Sequence, residues 1–551
     1  MTMTQQQEIH STIYISPMTA APPQNMKQPA VIKHLVPHPL TADCIEEVLN
    51  HLLDSSGTLY SCALVNRLWS ELAIPLLWYH PFGNKLHGRK ARILFETYIS
   101  CFPDDKKNML SIRRLNFPMP RPLFHYPKYL RGFDWGNFQF AIKEWFSTMP
   151  QQHPDLSTKL QSSKFFIANY LLGRCSGLRI LKIEHDISTK DNKLLDLASL
   201  SNFRYIFSKL EKLEILYDSC CDNRMQSVEM ISLFATKLSI CSRNIQHILI
   251  ADKNFKGTTS SQLPSYVCEA LCQLIKAQTN LITLEIHEFW NPEISISFYN
   301  ALESQSHSLK YLRISHISQF HLLLPTLSSC TNLETLEFQT VPETNTATMT
   351  TLLYNEDSTS QLSIKKLLCS DIKCDPKILS LTLGITIFMT NQNLRELYLP
   401  IEIRSDLLDI ICQSCPNLER LHLVLKTSLL LKILPYISTL PLKSLALIDK
   451  DKSFFSIELI QQVAQSLPPT LCNLEFNFQV TSQGLQYFLG NCRGSLKKLV
   501  IHNKTTNDQY LAVVTHYAKV KKSLKNFIYD GKFSDEKLEN ARIWIPNIES
   551  I

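Results

Sequence analysis

The chain has 551 residues, 44% of them apolar and 19% charged, a balance that suits a soluble globular protein with a sizeable core. Glycine is scarce at 13, and the 56 basic residues exceed the 49 acidic ones without forming a long basic run, which argues against glycine-rich phosphate loops and gives little ground for a nucleic-acid partner. The 16 cysteines are too dilute for a disulfide scaffold, no secretory leader is visible and no apolar run reaches 18 residues, so reduced thiols, no membrane span and a cytoplasmic and/or nuclear residence are expected.

Residues 1–35 are rich in Thr, Gln, Pro and Met with no sustained period and read as a flexible tail. His34 and His38 have H-x-x-x-H spacing, but Pro37 and Pro39 oppose the helix that chelation would need. No metal site is expected there.

Residues 39–78, PLTADCIEEVLNHLLDSSGTLYSCALVNRLWSELAIPLLW, predict three short helices. The first starts near Ala42, buries Ile45, Val48, Leu49 and Leu52 at i, i+3, i+4, i+7 and stops at DSSG. The second runs from about Thr58 to Leu64. The third carries Leu68, Trp69, Leu72 and Ala73 on one stripe and is interrupted at Pro75. So small a unit hides too little surface by itself. Its excess of leucine, valine and tryptophan therefore points to a face meant for another polypeptide.

The segment resembles an F-box, whose pattern opens with a leucine-proline step, continues with an apolar helix and closes with valine-x-x-x-tryptophan and a leucine-tryptophan pair. Leu40, Ile45, Val48, Leu49, Leu52, Leu59, Val65, Trp69, Leu77 and Trp78 stand at the matching positions; Thr41 replaces the usual proline and Asn66 the common cysteine. The resemblance implies an F-box over residues 36–82 that docks through these ten residues on a Skp-type adaptor, and through it on a cullin-RING ubiquitin ligase. Alternatively, the same helices are an amino-terminal cap for the array that follows. Residues 83–109, including the polar run HGRKAR, read as a linker.

From residue 110 onward a template L-x-x-L-x-L returns. Its units are LRILKI from Leu178, LEILYD from Leu213, IQHILI from Ile245, LITLEI from Leu281, LKYLRI from Leu309, LETLEF from Leu333 and IKKLLC from Ile364. LRELYL from Leu394, LERLHL from Leu418, LKSLAL from Leu442, LCNLEF from Leu471, LKKLVI from Leu496 and LKNFIY from Leu524 complete the run, with an earlier candidate, IRRLNF, at Ile112. The mean period is about 29 residues, long enough for a helix in each unit; Ile460, Val463, Ala464 and Leu467 supply one such helical stripe.

A strand-helix unit cannot cover its own apolar face, so neighbours must stack. The units resemble cysteine-containing leucine-rich repeats, since cysteines precede several strands, as in CSGL at 175, CTNL at 330 and CPNL at 415. The expected fold is therefore α/β, a leucine-rich-repeat solenoid over residues 110–551 with a curved parallel sheet and outer helices, preceded by a small three-helix F-box.

CQSC at 412–415 and CEALC at 268–272 could suggest redox or zinc chemistry, but their cysteines lie on apolar helix stripes and no second pair stands at zinc-site spacing. No nucleotide-loop, nucleophile-elbow, metalloprotease or kinase motif occurs. Neither a catalytic residue nor a cofactor is implied.

Side chains alternate along a strand, so the residues flanking each central leucine should face a concave, solvent-exposed side. Tyr311, Arg313, Tyr398 and Arg420 are the expected client contacts, with Glu285 and Glu337 setting charge complementarity. Mixed signs there argue against a nucleic-acid track. The resemblances together imply a non-catalytic substrate-recognition subunit of a ubiquitin ligase, its F-box holding the adaptor and its repeats holding a protein client. The alternative is a leucine-rich-repeat scaffold without a ligase link.

Overall fold

The computed structural model describes residues 40–109, 122–148, 156–184, 197–217, 224–252, 263–287, 295–315, 320–338, 361–369 and 376–551. The tail expected at 1–35, His34, His38 and the strand expected at Ile112 lie outside the described residues. Three helices come first: α1 (Ala42–Asn50), α2 (Ser56–Ala63) and α3 (Arg67–Leu77). Then follow α4 (Gly88–Ser100), α5 (Asp104–Met109), α6 (Trp135–Ser147) and α7 (Leu156–Arg174).

Among the described residues, fifteen strands form one parallel sheet in which each strand pairs with its successor in sequence. They are β1 (Gly132–Asp134), β2 (Ile180–Glu184), β3 (Lys212–Tyr217), β4 (His247–Asp252), β5 (Thr283–Ile286), β6 (Tyr311–Ile314), β7 (Thr335–Phe338) and β8 (Lys366–Cys369). The rest are β9 (Glu396–Glu402), β10 (Arg420–Leu425), β11 (Ser444–Asp449), β12 (Asn473–Phe476), β13 (Lys498–Thr506), β14 (Asn526–Gly531) and β15 (Asn547–Ser550). This is a solenoid-like α/β repeat array.

The leucine pattern explains the layering. In β5 and β6 alternate side chains are buried, because period-two alternation sends the apolar set to the helices and leaves the other set on the open face. The main chain supplies a second repeat. The Arg131 carbonyl accepts from Arg179 and Ile180 at 2.7 and 3.0 Å, the Arg179 carbonyl from Glu211 and Lys212 at 2.8 and 2.9 Å, and Lys497 still accepts from Lys525 and Asn526 at 2.8 and 3.0 Å. A backbone rung thus fixes the register of each unit on the one before it.

Two glutamines trapped between units are satisfied from within. Buried Gln278 donates to the Ser242 and Leu274 carbonyls and accepts from the Ile245 N–H, and Gln305 donates to the Ile275 and Gln278 carbonyls. Left unpaired, such amides would weaken the stack.

Several expectations are corrected. Residues 83–109 are not a linker: α4 buries Ala91, Leu94, Phe95, Tyr98 and Ile99 in the array's own core, since its apolar residues recur at i, i+3, i+4 spacing behind the polar HGRKAR start. Pro75 lies inside α3, which runs on to Leu77; the carbonyl that proline leaves unpaired belongs to Glu71, an exposed residue that water can serve. The second repeat unit is framed from Leu210, not Leu213, because Leu213 pairs with Leu181 and Ile248 at the centre of the template. β1 and β15 were not anticipated from the template: β1 belongs to Leu130-Arg131-Gly132-Phe133-Asp134-Trp135, with aromatics in place of aliphatics, and β15 follows Pro546 and ends on Ser550.

Candidate protein-interaction surfaces

The amino-terminal helices have a small core of their own, formed by Ile45, Leu49, Leu59, Ala63 and Ala73. Three of the ten proposed adaptor contacts therefore lie inside the bundle: Ile45, Leu49 and Leu59 expose no more than 2% of their surface. Leu52, Trp69 and Leu77 are half-buried against that core. Leu40, Val48 and Val65 are exposed at 54%, 43% and 61%. Val48 leaves the buried stripe because the inward line of α1 runs through Ile45 and Leu49, and position 48 falls to its side.

Sequence reasoning missed other exposed apolar residues on the same bundle, namely Leu53, Tyr60 and Leu64, and placed Leu68 on the inward stripe although it is 41% exposed. A hydrophobic tally that separates stripe from flank would have found them. Asn66, which replaces a common cysteine of the pattern, has a local reason: its side chain accepts from the Trp69 N–H at 3.0 Å and caps α3.

Trp78 ends α3 on the other core. Its ring meets Tyr98 edge-on at 5.0 Å and Tyr126 at 4.3 Å. Immediately afterwards the Tyr79 carbonyl accepts from Arg131 and Gly132, both at 2.8 Å, the same double acceptance that joins the later units as far as β14; before β15 the proline at 546 has no N–H, and the Lys525 carbonyl accepts from Asn547 at 3.0 Å. The bundle is therefore seated on the first rung of the sheet. His80 lies against Gly132, where an added β-carbon would be 2.4 Å from its Cγ, so glycine is required for this approach. Burial pushes the His80 imidazole below its usual value, opposed by Asp134.

The amino-terminal side of the array core is closed by other residues. Phe82 of the connecting segment, Phe95 and Tyr98 of α4, Phe133 of β1, and Phe138 and Trp145 of α6 form an aromatic cluster with ring centroids 5.1–6.1 Å apart for Phe82 with Phe133, Phe138, Phe95 and Tyr98. The exposed residues of α1 to α3 take no part in it.

On the open face of the sheet, four of the six proposed client contacts belong to one network. Glu285, Arg313 and Glu337 are register neighbours on β5, β6 and β7. Arg313 pairs with Glu285 at 3.5 Å and with Glu337 at 3.2 Å, and the Tyr311 hydroxyl donates to Glu337 at 2.7 Å. Desolvation raises the Glu285 carboxyl against the pull of Arg313. Burial and then the Glu337 bond raise the Tyr311 phenol well above its usual value. These groups are occupied by one another.

The other two contacts are more open. Tyr398 is 40% exposed and packs on the His422 ring at 4.2 Å; Arg420, with 62% of its side chain exposed, pairs with Glu396 at 3.1 Å. His502 bonds Glu475 at 2.7 Å farther along.

The paired cysteines offer no reactive thiolate. Burial pushes Cys412 up to about 11 and Cys415, Cys268 and Cys272 up to about 12, so they stay protonated at neutral pH. Among the described residues, no group of three or more His, Cys, Asp or Glu is placed to hold a metal ion, and no helix is long and apolar enough to cross a membrane. Comparison with protein-family models finds no match for this sequence, and comparison with curated proteins finds none either.

Proposed function

We propose that the protein is the substrate-recognition subunit of a cullin-RING ubiquitin ligase, with residues 36–82 as an F-box docked on a Skp-type adaptor and the array as a leucine-rich-repeat platform for a protein client. The observation that carries this reading is the exposure of Leu40, Val48, Leu64, Val65 and Leu68 on a bundle whose own core is already closed. Uncovered apolar area on so small a unit favours a partner. The resemblance of the segment to F-boxes says which partner. Because α4, α6 and the aromatic cluster already close that side of the array, a capping role leaves the outward leucines and valines without a purpose.

The subunit would make and break no covalent bonds. The rung at Tyr79 and the Trp78 seat would hold the adaptor at a fixed angle to the array, so that a bound client presents its lysines to the charged conjugating enzyme at high effective concentration.

The test is titration calorimetry of the full chain with a purified Skp-type adaptor. Val48→Glu with Val65→Glu should weaken binding by at least roughly a hundred-fold, the scale of losing interface anchors, while far-ultraviolet circular dichroism stays unchanged. Absence of binding by the wild-type chain, or undiminished binding by the double variant, contradicts the reading.

A further inference from the structure

Charges just before the strands are matched across neighbouring units at three junctions of the array. Arg179 meets Glu211 at 2.8 Å, Lys365 meets Glu334 at 2.7 Å and Lys443 meets Glu419 at 2.7 Å. The matching stops after β11. The next three residues at this position are Cys472, Lys497 and Lys525, and neither lysine has an ion pair among the described residues.

The surrounding sequence increases the imbalance. The helix-to-strand junctions at β13 and β14 carry Arg493, Lys497, Lys521, Lys522 and Lys525 together with Lys498, the first residue of β13, and the stretches 491–500 and 519–527 contain no Asp or Glu. All but Lys498 are exposed. The fold brings the two turns together: the Lys525 N–H donates to the Lys497 carbonyl at 2.8 Å, and the Ser523 hydroxyl donates to the Leu496 carbonyl at 2.9 Å.

Lys521 and Lys522 stand at a helix carboxyl end, where a cation has a local electrostatic reason. Arg493, Lys497, Lys498 and Lys525 lie beyond helix ends and have no such reason. Like charges on adjacent strands repel, and an anionic partner would relieve that repulsion.

The geometry points to this surface as a binding site for an acidic polypeptide segment carrying a bulky apolar residue. Exposed apolar residues lie beside the basic turns: Val520, Ile543 and Trp544 are exposed at 64%, 73% and 41%, and Lys519 lies over the Trp544 ring at 5.4 Å. These two turns and the junction before β15, which carries Ile543 and Trp544, span only about 10 Å at strand spacing, which fits a few residues of extended peptide. A nucleic-acid track would need a longer single-sign stripe, and this one ends at Cys472, beyond which Lys443 is paired with Glu419. The inference stands apart from the ligase reading, since it needs no adaptor.

The test is fluorescence anisotropy of the full chain with a fluorescein-labelled decapeptide of aspartate and glutamate with one central phenylalanine. Binding is expected at 50 mM salt and should weaken several-fold at 200 mM, as exposed charge pairs are screened. Lys497→Glu with Lys525→Glu should weaken it by roughly ten-fold or more, and the milder Lys497→Gln with Lys525→Gln by a smaller factor, which guards against misfolding of the charge reversal. Lys365→Glu with Lys443→Glu, whose lysines are paired, should change it less than about two-fold. No binding at 50 mM salt, equal loss in the two charge-reversal pairs, or tighter binding of a twenty-base-pair RNA duplex or of phosphatidylserine vesicles would overturn the proposal.

Discussion

Trp78 stands edge-on to Tyr98, ring centroids 5.0 Å apart and planes at 86°, so the helix that closes the small bundle ends in the core of the large array. Loss of that ring by Trp78→Ala should lower stability by about 2–3 kcal/mol, below the range for a fully buried tryptophan because this one is half-buried. Urea unfolding measures it; an unchanged midpoint means that the bundle is not seated there.

Leu49 and Val48 are chain neighbours with opposite roles, one fully buried and the other 43% exposed. Leu49→Ala should cost about 2–5 kcal/mol within the bundle, visible as faster proteolysis between α1 and α3. Val48→Ala should stay within about 0.5 kcal/mol. A loss of adaptor binding in the first variant therefore reports unfolding, and only the second reports contact.

Arg313 lies between Glu285 and Glu337, while Arg420 pairs with Glu396 in the open. Arg313→Ala leaves two carboxylates facing a vacated site and should cost about 2 kcal/mol, the scale of a lost hydrogen bond to a charged group. Arg420→Ala should cost under about 1 kcal/mol, as exposed pairs do. Thermal unfolding of the two variants should rank them in that order; equal shifts would show that the central network carries no extra stability.

Acid should loosen the sheet through its histidines. Burial holds the His422 imidazole below its usual value of 6.5, with Glu475 opposing and His502 adding to the effect. A folded-state value below the unfolded one means that the stability is present above pH 6.5 and is lost as pH falls through the lower folded value. His80 and His247 have the same sign, also with burial as the first cause. The urea midpoint should therefore fall between pH 7.5 and 5.5, and His422→Gln should flatten that slope. A slope unaffected by this change would remove His422 from the account.

The strand array was largely legible because each unit repeats one apolar template, and thirteen of the fifteen described strands fall within the template units. The misframed unit shows the limit: Leu210, Leu213 and Leu216 are all leucines, so spacing alone did not fix which stood first, and the backbone rung at Arg179 does. β1 escaped because Phe133 and Trp135 fill positions the template gives to aliphatics.

Surfaces were less legible than strands. The pattern named ten residues of the bundle without separating Leu49, which holds it together, from Val65, which faces outward; that division depends on helix packing. On the sheet, alternation placed Tyr311 and Glu337 on the open face, but only their register shows that they satisfy each other. The basic turns at Lys497 and Lys525 were hidden because they lie 28 residues apart and their adjacency is a property of the stack.

Hydrogen exchange of the full chain with and without a purified Skp-type adaptor tests the central proposal most directly. Slowed exchange is expected in peptides covering residues 40–77, with none over β5 to β15. Unchanged exchange across 40–77, or slowing confined to the sheet, would contradict the assignment of these helices as the docking module.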